Sequence, residues 1–144
     1  DFKDSLRRRV ALLKGVPEGA LMEVYTQRLR PNPGAAELIA ACRAAGLRTL
    51  LVSGGFTFFA DRVRERLGMD HAHSNVLEIE NGLLTGRVVG DIVDGEEKKR
   101  QLLALCQRLG CPPSQSIAVG DGANDLLMMA AAGLSVAYHA KPKV

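Results

Sequence analysis

Ser116-Ile117-Ala118-Val119-Gly120-Asp121-Gly122-Ala123-Asn124-Asp125-Leu126 is the stretch that decides the fold. A short apolar run breaks into a polar turn around glycine, and Leu126 to Ala132 then read as a helix stopped by Gly133. The same grammar occurs earlier, where Thr49-Leu50-Leu51-Val52 stops at Ser53-Gly54-Gly55 and a helix from Phe56 to Leu67 ends at Gly68. Strand, glycine turn and helix, given twice, predict an α/β fold with a Rossmann-like parallel sheet and helices on both faces.

Working outward, Leu134 to Tyr138 reads as a further strand and residues 96–109 as a helix closed by Gly110. Val76 to Glu80 and Leu83 to Val89 are strand-like runs joined by Asn81-Gly82, the usual two-residue hairpin signal, so a β-hairpin is expected at about 76–89. Phe2, Leu6, Val10 and Leu13 recur at helical spacing up to Gly15, and Pro17 opens a second helix to about Arg30. Pro31-Asn32-Pro33-Gly34 is the strongest breaker and sets the expected division, a helical part at 1–30 and an α/β core at 31–144.

The composition excludes several classes. In 144 residues, 47% are hydrophobic and 24% charged, which is ordinary for a globular domain and unlike a disordered tail. No apolar run approaches the ~20 residues of a bilayer span, and no signal-peptide pattern opens the chain. A net charge of +3, with four Phe and two Tyr for stacking, argues against nucleic acid as a partner. Cys42, Cys106 and Cys111 have neither disulfide parity nor metal spacing and read as reduced thiols of a cytoplasmic protein.

Ligands of open α/β sheets bind outside the carboxyl ends of the parallel strands, so the Ser53 turn and the Asp121 turn are expected at one edge. Ser53, with Gly54 and Gly55 baring backbone N–H groups at a helix start, suits a phosphate, though a tight turn explains the same residues. Asp121, Asn124 and Asp125 crowd negative and polar groups around a glycine, which suits Mg²⁺ better than simple helix capping does. Lys98 lies in a first helical turn after Asp94, Glu96 and Glu97, and the residues alone favour a solvated surface position. Arg9 shares the face of Phe2, Leu6 and Val10, and either snorkels to water or offers its fork to an anion. His71, His73 and His139 receive no role.

Val52-Ser53-Gly54-Gly55-Phe56, Lys98 and Val119 to Leu126, in that order, resemble the second, third and fourth motifs of haloacid-dehalogenase-type phosphatases. Phe2 to Gly15 and Ala137 to Val144 narrow the resemblance to the phosphoserine phosphatases of that superfamily. The resemblance implies Mg²⁺-dependent hydrolysis of a small phosphomonoester, O-phosphoserine, through an aspartyl-phosphate intermediate in serine biosynthesis. It implies that Ser53, the backbone at Gly54 and Gly55, and Lys98 hold the phosphoryl group, and that Asp121 binds Mg²⁺. It further implies that Asn124 contacts the phosphate region, that Asp125 supports the metal and lysine, and that Arg9, with Phe2, belongs to a helical cap recognising the substrate carboxylate.

The family's first motif, a strand ending in Asp-x-Asp, has no counterpart in these residues; Asp1 and Asp4 fit a helix pattern instead. With that first core strand absent, the chain reads as part of a longer protein and is expected to be inactive by itself. Two alternatives stand beside this reading: a non-catalytic domain holding phosphate and Mg²⁺, and a related small-molecule phosphatase or phosphotransferase. A homodimer is compatible with the sequence.

Overall fold

The computed structural model describes residues 1–142 and 144; Lys143, in the last of the resembling blocks, lies outside the described residues. The chain forms two compact units, Asp1–Ile92 and Val93–Val144.

The first unit runs α1 (Phe2–Ala11), α2 (Glu18–Gln27), α3 (Ala35–Ala44), β1 (Leu50–Phe56), α4 (Thr57–Leu67), β2 (His71–Glu80) and β3 (Leu83–Val89). Helix α1 starts because the Asp1 carboxylate accepts the Lys3 N–H at 3.1 Å, relieving one of the unpaired donors of its first turn. Its Leu6 and Val10, four residues apart on one face, are buried with Leu21, Leu77, Leu84 and Ile92. Phe56, Phe58 and Phe59 pack against this cluster, so the core lies between the first two helices, the hairpin and the start of α4. The segment between α1 and α2 is tied to the hairpin: Gly15 N–H donates to Leu84 O at 2.8 Å, and Leu84 N–H to Val16 O at 2.8 Å.

Strand β1 runs parallel to β2, and β2 antiparallel to β3, so this unit's sheet is mixed, with the hairpin as its antiparallel part. Asn81 (φ 53°) and Gly82 (φ 76°) both take the left-handed region, as a two-residue turn matching the strand twist demands. Several boundaries differ from the sequence expectation: β2 begins at His71 rather than Val76, and α1 ends at Ala11 rather than near Gly15. Helix α2 ends at Gln27 rather than near Arg30, with the Arg28 and Leu29 N–H groups both donating to Val24 O. Strand β1 continues through Ser53-Gly54-Gly55 to Phe56, with Ser53 Oγ and Asn75 bonding that glycine segment where it bulges from the β2 ladder.

The second unit runs α5 (Gly95–Leu109), a 3₁₀ turn at Pro113–Gln115, β4 (Ile117–Gly120), a 3₁₀ turn at Ala123–Asp125, α6 (Leu126–Ala131) and β5 (Leu134–Ala137). Asp94 caps α5 by accepting the Glu97 N–H at 2.9 Å. Strands β4 and β5 pair in parallel, Ile117 opposite Leu134 through Gly120 opposite Ala137, and α6 packs on β4 and on α5. Val93, Leu105, Cys106, Ala118 and Met129 are the buried apolar residues of this unit. The three cysteines are free thiols; Cys106 is buried, whereas Cys42 is half-buried because α3 buries none of its residues fully. Burial, with the neighbouring Cys111, pushes the Cys106 thiol above its ordinary range.

Candidate functional site

In the second unit, the turn after β4 is built around Asp125. Its Oδ2 accepts the N–H of Asp121 at 3.1 Å and of Gly122 at 3.2 Å, while Asp125 N–H donates to Gly122 O at 3.0 Å. The carboxylate thus closes the loop on itself and fixes where Asp121 points. Its other oxygen, Oδ1, accepts Lys98 Nζ at 2.7 Å, and both side chains are buried, 8% and 9% exposed. Burial drives the Asp125 pKa upward, but the Lys98 hydrogen bond, the Asp121 N–H, the Lys98 charge and the Gly122 N–H together bring it below the ordinary carboxylate value.

This overturns the surface position that local charge suggested for Lys98. The first turn of α5 is instead pressed against the loop, and Glu97, also buried, pairs with Arg100 and accepts from Gln101 at 2.8 Å. An ammonium carries three donors, so Lys98 keeps hydrogens for a second anion while bonded to Asp125.

Gly120 makes this packing feasible. A Cβ there would stand 2.5 Å from Asp125 Cβ and 2.8 Å from its Cγ, far inside van der Waals contact. Gly120→Ala is therefore expected to destabilise the protein by about 1–3 kcal/mol, by forcing the Asp125 side chain off its bonds. A denaturant titration checks it, and an unchanged midpoint would contradict the close packing.

Asp121 carries an exposed carboxylate and Asn124 is half-buried. Among the described residues no group of three or more His, Cys, Asp and Glu side chains gathers as a metal cage. That donor set still fits Mg²⁺, which is commonly held by one or two carboxylates, with water and substrate phosphate completing its shell. Asp125 is not available as a free ligand, since both its oxygens are engaged.

In the first unit, Ser53 Oγ accepts the Gly55 N–H at 2.9 Å, and Asn75 Nδ2 donates to Gly54 O at 2.9 Å. The Gly55 N–H therefore orients Ser53 rather than standing bare, and the Ser53 hydroxyl hydrogen is left to donate outward. Ser53 borders a cleft of about 340 Å³ otherwise lined by apolar groups, among them Leu51, Phe56, Phe59 and Val63. On α1, Arg9 is exposed and its Nε donates to Ser5 O at 3.4 Å, while Phe2 is 37% exposed. Arg9 thus snorkels beside the buried Leu6 and Val10, its guanidinium accessible to an anion.

The structure brings together Lys98, Asp121, Asn124 and Asp125 in one unit, and Ser53, Gly54 and Gly55 in the other. Two residues escaped the sequence reading: Gly120, whose need shows only against Asp125, and Asn75, a polar residue on a half-buried strand.

The model of the haloacid dehalogenase-like hydrolases matches residues 1–130. The chain belongs to that family. It is 65% identical over 148 residues to a phosphoserine phosphatase of Polaromonas, matching all of this chain and 63% of the relative. The unliganded crystal structure of a probable phosphoserine phosphatase from Vibrio cholerae superposes with a TM-score of 0.95 at 50% identity, covering 99% of this chain and 44% of that one. A substrate-bound phosphoserine phosphatase complex superposes at 0.93 with 38% identity, covering 99% of this chain and 68% of that one. The chain spans less than two-thirds of the length of the Polaromonas relative and of the Vibrio cholerae chain, and its α/β architecture is that of the solved structures.

Proposed function

We propose that this chain is the phosphate-handling part of a Mg²⁺-dependent phosphoserine phosphatase that hydrolyses O-phosphoserine to serine and phosphate in serine biosynthesis. The observation that carries the reading is the buried Lys98–Asp125 pair, which holds a cation at a strand-end loop presenting the exposed Asp121 carboxylate. The names of the relatives, phosphoserine phosphatases at up to 65% identity, support O-phosphoserine as the substrate. We further propose a helical cap at 1–30 on a core at 31–144, and a cytoplasmic location. Separately, among the described residues no helix is long and apolar enough to cross a membrane.

Phosphoryl transfer needs positioning and charge neutralisation more than covalent help from its surroundings. Lys98 Nζ, bonded to Asp125, would place a fixed positive charge on a phosphoryl oxygen. The Ser53 hydroxyl, its oxygen engaged by the Gly55 N–H, would donate to a phosphoryl oxygen, with the Gly54 backbone alongside. Asn124 would contact the phosphate region, and Asp121 would hold Mg²⁺. When bound, that ion supplies further neutralisation of the phosphoryl oxygens. A fixed ammonium in a water-poor site acts at no reorganisation cost as charge develops.

In this reading Arg9, with Phe2 beside it, recognises the carboxylate end of the substrate. A charge-assisted fork of this kind contributes about 1.5–3 kcal/mol, so Arg9→Ala is expected to raise KM for O-phosphoserine roughly 10- to 100-fold. Hydrolysis of an aryl phosphate lacking a carboxylate should change less than about twofold. Equal losses on both substrates would remove Arg9 from recognition. The reading itself is tested by phosphate release from O-phosphoserine by the intact protein, with and without Mg²⁺. Release that needs the metal supports it, and none above background contradicts it.

A further inference from the structure

We infer that Asn75 is a positioning residue that sets the Ser53 hydroxyl for phosphate; the inference rests on the function proposed above. Asn75 is 1% exposed, and a side-chain amide so deeply buried costs stability unless it is hydrogen-bonded. Its Nδ2 donates to Gly54 O at 2.9 Å.

The position of that bond is informative. Along β1 and β2, Val52 is opposite His73 but Phe56 is opposite Asn75, so four steps on one strand face two on the other. Ser53, Gly54 and Gly55 bulge out of the ladder, and a side chain supplies the hydrogen bond that the neighbouring backbone is no longer placed to give. The Gly54 carbonyl and the Gly55 N–H belong to one planar peptide unit. Asn75 grips the oxygen of that plane while its N–H reaches Ser53 Oγ at 2.9 Å. Fixing one end fixes the other. With a lone pair of Ser53 Oγ engaged in this way, the hydroxyl hydrogen remains to donate to a phosphate oxygen, and the chain of bonds polarises it as a donor.

Inorganic phosphate as a competitive inhibitor of the intact protein reads this directly. Asn75→Leu and Asn75→Asp, which keep the shape and remove the donor, are each expected to raise the phosphate inhibition constant about tenfold. Ser74→Ala alters the neighbouring buried hydroxyl, which has no hydrogen-bond partner among the described residues, and should leave the constant unchanged. The deciding comparison is in a Ser53→Ala background, where adding Asn75→Leu should cost less than about twofold because its effect passes through Ser53. The full tenfold loss in that background, or no change in either folded Asn75 variant, would overturn the inference.

If the Asn75 variants fail to fold, the wild-type side-chain amide signals of Asn75 decide by NMR. A shift on adding phosphate supports the relay, and their indifference contradicts it. If wild-type protein binds no inorganic phosphate, the proposed function falls and this inference with it; tight wild-type binding with unaffected variants overturns the role of Asn75 alone.

Discussion

Lys98→Met in the intact protein is expected to abolish measurable turnover and to lower stability by about 3–5 kcal/mol, the usual cost of stripping one partner from a buried ion pair. The reason is Asp125, 7% exposed, whose carboxylate would keep two backbone N–H donors but lose its counter-charge. Adding Asp125→Asn removes the stranded charge and leaves an oxygen for the Asp121 and Gly122 amides. The double variant should therefore recover at least half of the lost stability, yet none of the activity, as no cation would then face the phosphate. Equilibrium denaturation and phosphate-release assays on the three variants check both halves. A stable, active Lys98→Met protein would show that the pair is incidental.

The pair also fixes a pH dependence. Because the folded-state pKa of Asp125 is lowered, the stability it contributes is fully present above the unfolded carboxylate value of about 4 and fades as pH falls through the lower, folded value. In the variant lacking Lys98 that acid-side loss should shrink.

Asp121→Asn has the other large effect, and a cleaner one. Its carboxylate is exposed, and its structural contributions are backbone ones, the N–H given to Asp125 and the carbonyl accepting the Lys141 N–H, which the substitution keeps. Stability should therefore stay within about 0.5 kcal/mol, as for exposed positions outside any cap or core. Mg²⁺-dependent turnover should fall about 10²–10³-fold, the range seen when one electrostatic stabiliser is removed from an active site. Binding of Mg²⁺ followed by titration calorimetry should weaken in parallel. An unfolded variant would assign Asp121 to the scaffold, and undiminished Mg²⁺ dependence would move the metal elsewhere.

How much of this was legible in the residues depended on range. The Asn81-Gly82 hairpin and the strand–turn–helix units are local, and their turn chemistry fixes them within a few residues. Lys98 looks solvated from its own helix, since Asp94, Glu96 and Glu97 are sufficient company; its partner, Asp125, stands 27 positions away. Only the resemblance to a phosphatase motif pointed the right way there. Asp125 itself was read from composition as part of a metal spot, whereas geometry gives both its oxygens to Lys98 and the loop backbone. The end of β1 was placed too early because two glycines normally break a strand. The amide that bonds this bulged segment, Asn75, comes from the next strand, which no local pattern announces.

A crystal structure of the intact protein with inorganic phosphate and Mg²⁺ bears most directly on the claim that the buried Lys98–Asp125 pair and the Asp121 loop handle a phosphoryl group. The account predicts a phosphate touched by Lys98 Nζ, with the cation on the Asp121 carboxylate. Phosphate bound away from Lys98, with Asp121 bare of metal at saturating Mg²⁺, would contradict it.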